Sequence, residues 1–214
     1  MTILITGANR GIGAALLSHY RHQGMATFGT ARRPEGDLLP LDVMQQDSVK
    51  ELARRLNGLP LSLLVCNAGV YADKGQALEA GYAPRLWAQS FAVNVMGVFL
   101  TVQALLPNLR AGKGKVAIIS SAMASDARAP GGSYIYRSSK AAALNLGRNL
   151  AVDLKSEGVA VGIYHPGWVK TDMGGPQAEI SPAQSVAGLT ARFAALSLDT
   201  TGCFESYDGT ELPF

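Results

Sequence analysis

Tyr136 and Lys140 stand four positions apart at the head of an Ala/Leu-rich stretch. Residues four apart on a helix lie one turn above each other on the same face, so the phenol and the ammonium can point at one bound molecule. A free tyrosine titrates near pH ~10, and a neighbouring cation favours its phenolate, moving it toward the range where proton transfer at neutral pH is useful. The pair reads as a proton donor with a tuning cation. Tyr134 competes for the role, but it is six positions from Lys140, and at roughly 100° per residue it faces another side of the helix. Tyr136 is therefore the expected donor. Such a pair also decorates ordinary exposed helices, so the rest of the chain must supply a pocket.

Residues 2–6 form a short apolar strand that runs straight into Gly7-Ala8-Asn9-Arg10-Gly11-Ile12-Gly13, and Ile12, Ala15, Leu16 and Tyr20 then recur at helical spacing until Gly24. A strand, a glycine loop and a helix in this order suit a dinucleotide. Glycines let the backbone approach the pyrophosphate, and the helix N-terminus offers unpaired N–H groups. A second strand, 26–31, ends in Ala31-Arg32 where an NAD site would carry an acidic residue for the ribose 2'-hydroxyl. A guanidinium there favours a 2'-phosphate, with Arg10 as a second contact, so NADP(H) is expected over NAD(H). Glu35 and Asp37 nearby keep NAD as the runner-up.

Stepping along the chain, 38–42 reads as a third strand, 47–56 as an amphipathic helix and 61–66 as a buried strand ending in the turn Asn67-Ala68-Gly69. A loop-like stretch, 71–83, precedes a long helix over 84–110. The fifth strand, 115–120, delivers Ser120-Ser121, and a loop over 122–133 leads to the helix of Tyr136 and Lys140, which runs to about Glu157. A strand over 159–164, the turn Pro166-Gly167, a helix over 182–195 and a last strand over 202–205 complete the pattern. Alternating β and α elements mean a parallel sheet with helices on both faces.

The 214 residues, 48% hydrophobic, suffice for one core, so 1–214 reads as one domain. The net charge of +3 is scattered, which argues against a nucleic-acid surface. Cys66 and Cys203 lie in apolar runs without C-x-x-C or histidine partners, so buried free thiols and no metal site are expected. The apolar start breaks at Thr6-Gly7 and no apolar run approaches membrane-spanning length, which leads to the expectation of a cytoplasmic protein without a membrane partner.

Thr6-Gly7-x-x-x-Gly11-Ile12-Gly13, Asn67-Ala68-Gly69, Asn94, Ser121, Tyr136-x-x-x-Lys140 and Pro166-Gly167-Trp168-Val169-Lys170-Thr171 stand in one order. Together they closely resemble the classical short-chain dehydrogenase/reductase family over nearly the whole chain. The runs Tyr-Arg-Ser-Ser-Lys-Ala and His165-Pro-Gly-Trp-Val-Lys-Thr-Asp-Met-Gly-Gly resemble its subgroup of C-factor and sniffer-type carbonyl reductases. The resemblance implies a Rossmann-type, doubly wound α/β fold with a seven-stranded parallel sheet in the order 3-2-1-4-5-6-7. It implies an active centre of Asn94, Ser121, Tyr136 and Lys140. Thr6, Gly7, Arg10, Gly11, Ile12, Gly13, Asp42, Asn67, Ala68, Gly69, Pro166, Gly167, Val169 and Thr171 would line the cofactor, with Arg32 at its 2'-phosphate.

In that scheme Ser121 hydrogen-bonds the substrate oxygen and Tyr136 protonates it. Lys140 holds the nicotinamide ribose and lowers the tyrosine pKa, and Asn94 interrupts its helix to hold a relay water. Ser121 lies fifteen residues before Tyr136, two more than is common in the family, so Ser120 and Ser125 stay open as the catalytic serine. The expected function is NADP(H)-dependent reduction of small aldehydes and ketones by a homodimer or homotetramer. The rival is an NADP(H)-binding sensor or signalling protein with little turnover. Serine hydrolysis is excluded, because G-x-S-x-G is missing and Arg137 stands where S-x-x-K would need its serine.

Overall fold

Alternate residues of the central strands feed two separate cores, one on each face of a sheet. In β1 (Thr2–Ile5), Leu4 joins the core beneath α2 (Gln46–Arg55), α4 (Gly97–Gly112) and α5 (Tyr134–Lys155). Its neighbours Ile3 and Ile5 join the core beneath α1 (Gly11–His22) and α6 (Pro182–Ala195). The pleat sends successive side chains to opposite faces, and a strand buried on both reads as continuously apolar, as β4 (Leu63–Cys66) does with all four residues buried.

The computed structural model describes residues 1–214. The remaining strands are β2 (Ala26–Ala31), β3 (Leu39–Pro40), β5 (Lys115–Ile119), β6 (Ala160–His165) and β7 (Phe204–Ser206). All pair in parallel in one sheet of order β3-β2-β1-β4-β5-β6-β7. This is the doubly wound Rossmann arrangement expected from the sequence. Order reverses between β1 and β4, and in open α/β sheets ligands bind at the carboxyl ends of the strands flanking such a switch point.

β3 is shorter than the expected 38–42, because only Leu39 and Pro40 pair with β2 and proline brings no N–H to a ladder. The expected single helix over 84–110 is two helices, α3 (Pro84–Phe91) and α4, joined by a π-helical turn, Ala92–Met96, centred on Asn94. Such turns insert one extra residue and displace the helical hydrogen bonds.

The expectation that no apolar run approaches membrane-spanning length requires correction. Pro84–Gly112, with mean hydropathy 1.6 over its most apolar window, is long and apolar enough to cross a membrane by length and composition. Tertiary packing accounts for that composition, since Val98, Val102, Leu105 and Leu109 of α4 are core residues.

Candidate active site

A groove of about 730 Å³ opens at the switch point, within the range of small-molecule and cofactor sites. Gly7, Arg10, Gly11 and Ile12 form its middle. A Cβ on Gly13 would run into the Gly7 carbonyl and the Asn67 side-chain amide, so only glycine lets the first helix turn pack this close to the strand end. Asn67 donates through Nδ2 to the carbonyls of Thr6 and Gly7, both at 2.9 Å. The Thr6 hydroxyl accepts the N–H groups of Asn67 and Ala68, both at 3.0 Å. These bonds lock β1 to β4 beneath the groove. Helix α1 has no side-chain cap and no acidic residue in its first turn, which leaves its N–H groups and positive dipole end available to an anion.

Arg32, Arg33, Asp42 and Val43 line one end of the groove. Neither Asp37, which pairs with Arg21 at 2.7 Å, nor Glu35 lines it. Arg32 and Arg33 have no acidic partner. Arg10 does: its guanidinium meets Asp172 at 3.0 Å across the mouth of the groove, with both side chains exposed.

Tyr136 and Lys140 line the other end, together with Gly69, Ser120, Pro166 and Thr171. Lys140 Nζ lies 5.7 Å from the Tyr136 ring centroid and donates to the carbonyl of Ile119 at 2.8 Å. Gly69 sits between Lys140 Nζ and Asn94 Oδ1, each 3.4 Å from where a Cβ would be. Burial pushes the Tyr136 phenol up to about 12, with the nearby Tyr71 and Asp73 acting the same way more weakly. Ser121 is the group that favours its phenolate, although the two hydroxyls do not close a hydrogen bond of ordinary geometry. The expected lowering by Lys140 is not what the protein's own groups produce. Burial lowers the lysine itself to about 8, and at neutral pH the pair is a phenol beside a largely protonated amine.

The three candidate serines separate by their partners. Ser120 touches the groove, yet its hydroxyl donates to the Lys140 carbonyl at 3.1 Å and so anchors α5. Ser125 is buried with no hydrogen-bond partner for its hydroxyl. Ser121 alone bears on the Tyr136 phenol, and its Oγ accepts the Met123 N–H at 3.1 Å. The long Ser121-to-Tyr136 spacing is taken up by a loop that ends with Gly131, Gly132 and Ser133 all at positive φ.

Asn94, 1% exposed, bridges three elements. Its Oδ1 accepts the Val70 N–H at 2.9 Å, and its Nδ2 donates to the Val70 carbonyl at 3.0 Å and to Ser139 Oγ at 2.9 Å. Ser139 in turn donates to the Tyr136 carbonyl at 2.9 Å.

A model for short chain dehydrogenases matches residues 1–181. The chain belongs to the short-chain dehydrogenase family. It is 39% identical over 157 residues to C-signal of Myxococcus xanthus, covering 72% of this chain and 93% of that protein. The carbonyl reductase Sniffer of D. melanogaster superposes with a TM-score of 0.92 at 28% identity, covering 100% of this chain and 99% of the other. The NADPH-bound carbonyl reductase from chicken fatty liver does so with a TM-score of 0.90 at 29% identity, covering 100% and 98%. The likeness to C-factor and sniffer-type members noted in the sequence is thus present in both comparisons.

Within this short-chain dehydrogenase, several expected cofactor residues lie behind the groove wall and not on it. Thr6 and Gly13 support the glycine loop from beneath. Val169 is buried and bridges to Ile180, and Gly167 takes positive φ under Tyr207. Two residues that the sequence did not single out pack against Tyr136 without lining the groove. Tyr71 stacks on Tyr136, and Asp73, 1% exposed, accepts backbone N–H groups of α5. Both fall in the stretch 71–83, whose glycines and charges signal only a loop.

Proposed function

We propose that this short-chain dehydrogenase is an NADP(H)-dependent reductase of small aldehyde and ketone carbonyls. The observation that carries the reading is one groove with Tyr136, Lys140 and Gly69 at one end and two arginines without acidic partners, Arg32 and Arg33, at the other. The glycine cradle and the uncapped α1 fit a pyrophosphate, and the arginines fit a 2'-phosphate. The NADPH-bound chicken carbonyl reductase supports the same choice.

Arg10, Gly11, Ile12 and the α1 N–H groups would hold the dinucleotide phosphates, Asn67, Ala68, Gly69, Pro166 and Thr171 would line the nicotinamide half, and Lys140 would hold the nicotinamide ribose. When bound, the nicotinamide supplies a hydride to the carbonyl carbon. Ser121 donates a hydrogen bond to the carbonyl oxygen and Tyr136 gives it a proton, so both hydroxyls meet on one oxygen. A phenol raised to about 12 is fully protonated at neutral pH, which suits reduction. Asn94 positions the Tyr136 turn through Ser139 and keeps one Oδ1 lone pair for a relay water.

NADPH and NADH consumption against a panel of aldehydes, ketones and quinones tests the reading. Turnover favouring NADPH and lost in Tyr136→Phe is the expected result. Cofactor binding without turnover on any carbonyl favours the second reading, an NADP(H)-binding signalling protein, which the likeness to C-signal supports. A cytoplasmic homodimer or homotetramer accompanies either reading. Phe99 and Met96 on the α3–α4 limb and Val152 on α5 are exposed apolar residues that a second copy would cover.

A further inference from the structure

We infer that Asp73 is a positioning residue for Tyr136, holding the first turn of α5 at the height from which the phenol reaches the substrate oxygen. The inference deepens the reductase reading and rests on it for its kinetic readout.

Helix α5 begins without a local cap. Ser133 precedes it at φ 49, in the left-handed region, and makes no capping hydrogen bond. Its hydroxyl is engaged with that of Tyr71 instead. A helix end buried without partners leaves N–H donors unsatisfied, at a cost comparable to a lost hydrogen bond for each. Here the partner comes from sixty residues upstream in sequence. Asp73 Oδ2 accepts the Ile135 N–H at 2.9 Å, and Oδ1 accepts the Tyr136 N–H at 3.1 Å. The carboxylate is 1% exposed, Ile135 is fully buried and Tyr136 is 8% exposed.

Burying a lone carboxylate is costly, and a nearby salt bridge is missing. What stabilises this one is charge-assisted bonding to two N–H groups at the positive end of a 22-residue helix. A surface cap could be supplied by Ser133 or by water. A fully enclosed carboxylate bonded to the backbone of Tyr136 itself does more, because it fixes where that residue's Cα sits relative to β4. Further along the same loop, Lys74 donates to the Met173 carbonyl at 3.0 Å. The segment Tyr71–Lys74 therefore couples the end of β4, the head of α5 and the loop after β6.

The groups facing the Tyr136 phenol are Lys140 from its own helix, Tyr71 and Asp73 from the loop after β4, and Ser121 from the loop after β5. Of these, Asp73 is the negative charge. Its removal both frees the helix end and takes away an influence that opposes ionisation of the phenol.

The test compares Asp73→Asn with wild type. The amide oxygen can still accept one N–H, while the amide NH2 faces the other and cannot. Expected are a kcat lower by about 10–100-fold, the equivalent of one hydrogen bond to a charged group, and an NADPH affinity, followed by fluorescence, within about twofold of wild type on the same scale. The Tyr136 phenol, read by pH-jump absorbance as the difference from Tyr136→Phe, is expected to ionise at lower pH than in wild type. Asp73→Glu, which keeps the charge, is expected to recover part of kcat. An unchanged kcat, or a kcat that falls only in step with NADPH affinity and melting temperature, overturns the inference. Should wild type turn over no carbonyl, the reductase reading fails and the backbone of the first turn of α5 decides alone: faster amide hydrogen exchange at Ile135 and Tyr136 in Asp73→Asn supports Asp73, and unchanged exchange rejects it. If Asp73→Asn does not fold, Asp73→Glu is compared by the same exchange and judged in the same way.

Discussion

The ring of Tyr71 lies against the ring of Tyr136, with centroids 4.2 Å apart and planes 18° apart. The Tyr71 hydroxyl bonds to Ser133 at the head of the same helix. Stacked aromatic pairs contribute about 0.5–1.5 kcal/mol beyond their buried area. Tyr71→Phe keeps the stack and loses the hydrogen bond, whereas Tyr71→Ala loses both. The alanine variant should lose about 1–3 kcal/mol of stability in denaturant titration beyond the burial of its ring and about tenfold in kcat, with the phenylalanine variant closer to wild type.

Tyr136→Phe removes the phenolic proton and little volume. Proton transfer by a positioned side chain contributes about 10²–10⁴-fold, and carbonyl reduction should fall by that order. NADPH binding by fluorescence titration should persist. Turnover at the wild-type rate would remove Tyr136 from its assigned role.

At the far end of the groove, Arg32→Asp should raise the Kd for NADPH by about 10–100-fold, the equivalent of one charge-assisted hydrogen bond. NADH binding should change far less, since it carries no 2'-phosphate. Equal weakening of both cofactors would show that Arg32 does not read that phosphate.

The pH profile of reduction follows from two opposite shifts. Tyr136 stays protonated until about 12, so its ionisation does not limit activity near neutrality. Lys140 loses its charge through about 8, and kcat/KM should decline as pH rises across that value. Lys140→Arg keeps its charge at all these pH values, and any residual activity it shows should lack the limb near 8.

His165 sits with its Nδ1 buried and unpartnered, and burial, aided by Arg128, lowers it from 6.5 to about 4. The unfolded chain binds that proton near its ordinary pKa and the folded chain does not. The stabilising contribution is therefore complete above about pH 6.5 and is lost as pH falls toward about 4, by roughly 2–3 kcal/mol. Replacing the titrating ring, as in His165→Gln, should flatten the acid side of the stability curve measured by denaturant titration.

Asn94→Ala removes the partner of the Val70 N–H and of Ser139. Leaving buried polar groups unsatisfied costs about 1–3 kcal/mol, so the variant should melt earlier. Its kcat should fall further than Ser139→Ala lowers it, because it also removes the Oδ1 assigned to the relay water.

The alternation of strands and helices, the glycine loop and the pairing of Tyr136 with Lys140 were legible in the chain because each depends on local pattern, whereas the strand order came from the family resemblance. Apolar strands such as Leu63–Cys66 are continuous in sequence, helical spacing is periodic, and the phenol and ammonium sit within one turn. The π-helical turn at Asn94 was foreshadowed only by a polar residue in an apolar run. Which serine faces the phenol was not legible. Ser120, Ser121 and Ser125 share one residue type within six positions, and they differ only in their surroundings: Ser120 bonds the backbone of α5, Ser125 is buried without a partner, and Ser121 is the one proposed for the substrate oxygen.

By itself the sequence determined a doubly wound α/β fold with a dinucleotide groove, since periodicity and short motifs encode elements and their turns. Tertiary structure alone decided that Ser120 anchors α5 while Ser121 does not, that Asp37 pairs with Arg21 outside the groove, and that Asp73 caps a helix about sixty residues downstream. Those are relations between groups far apart along the chain. They exist only where packing closes the loops between them and excludes the water that would otherwise satisfy each group alone.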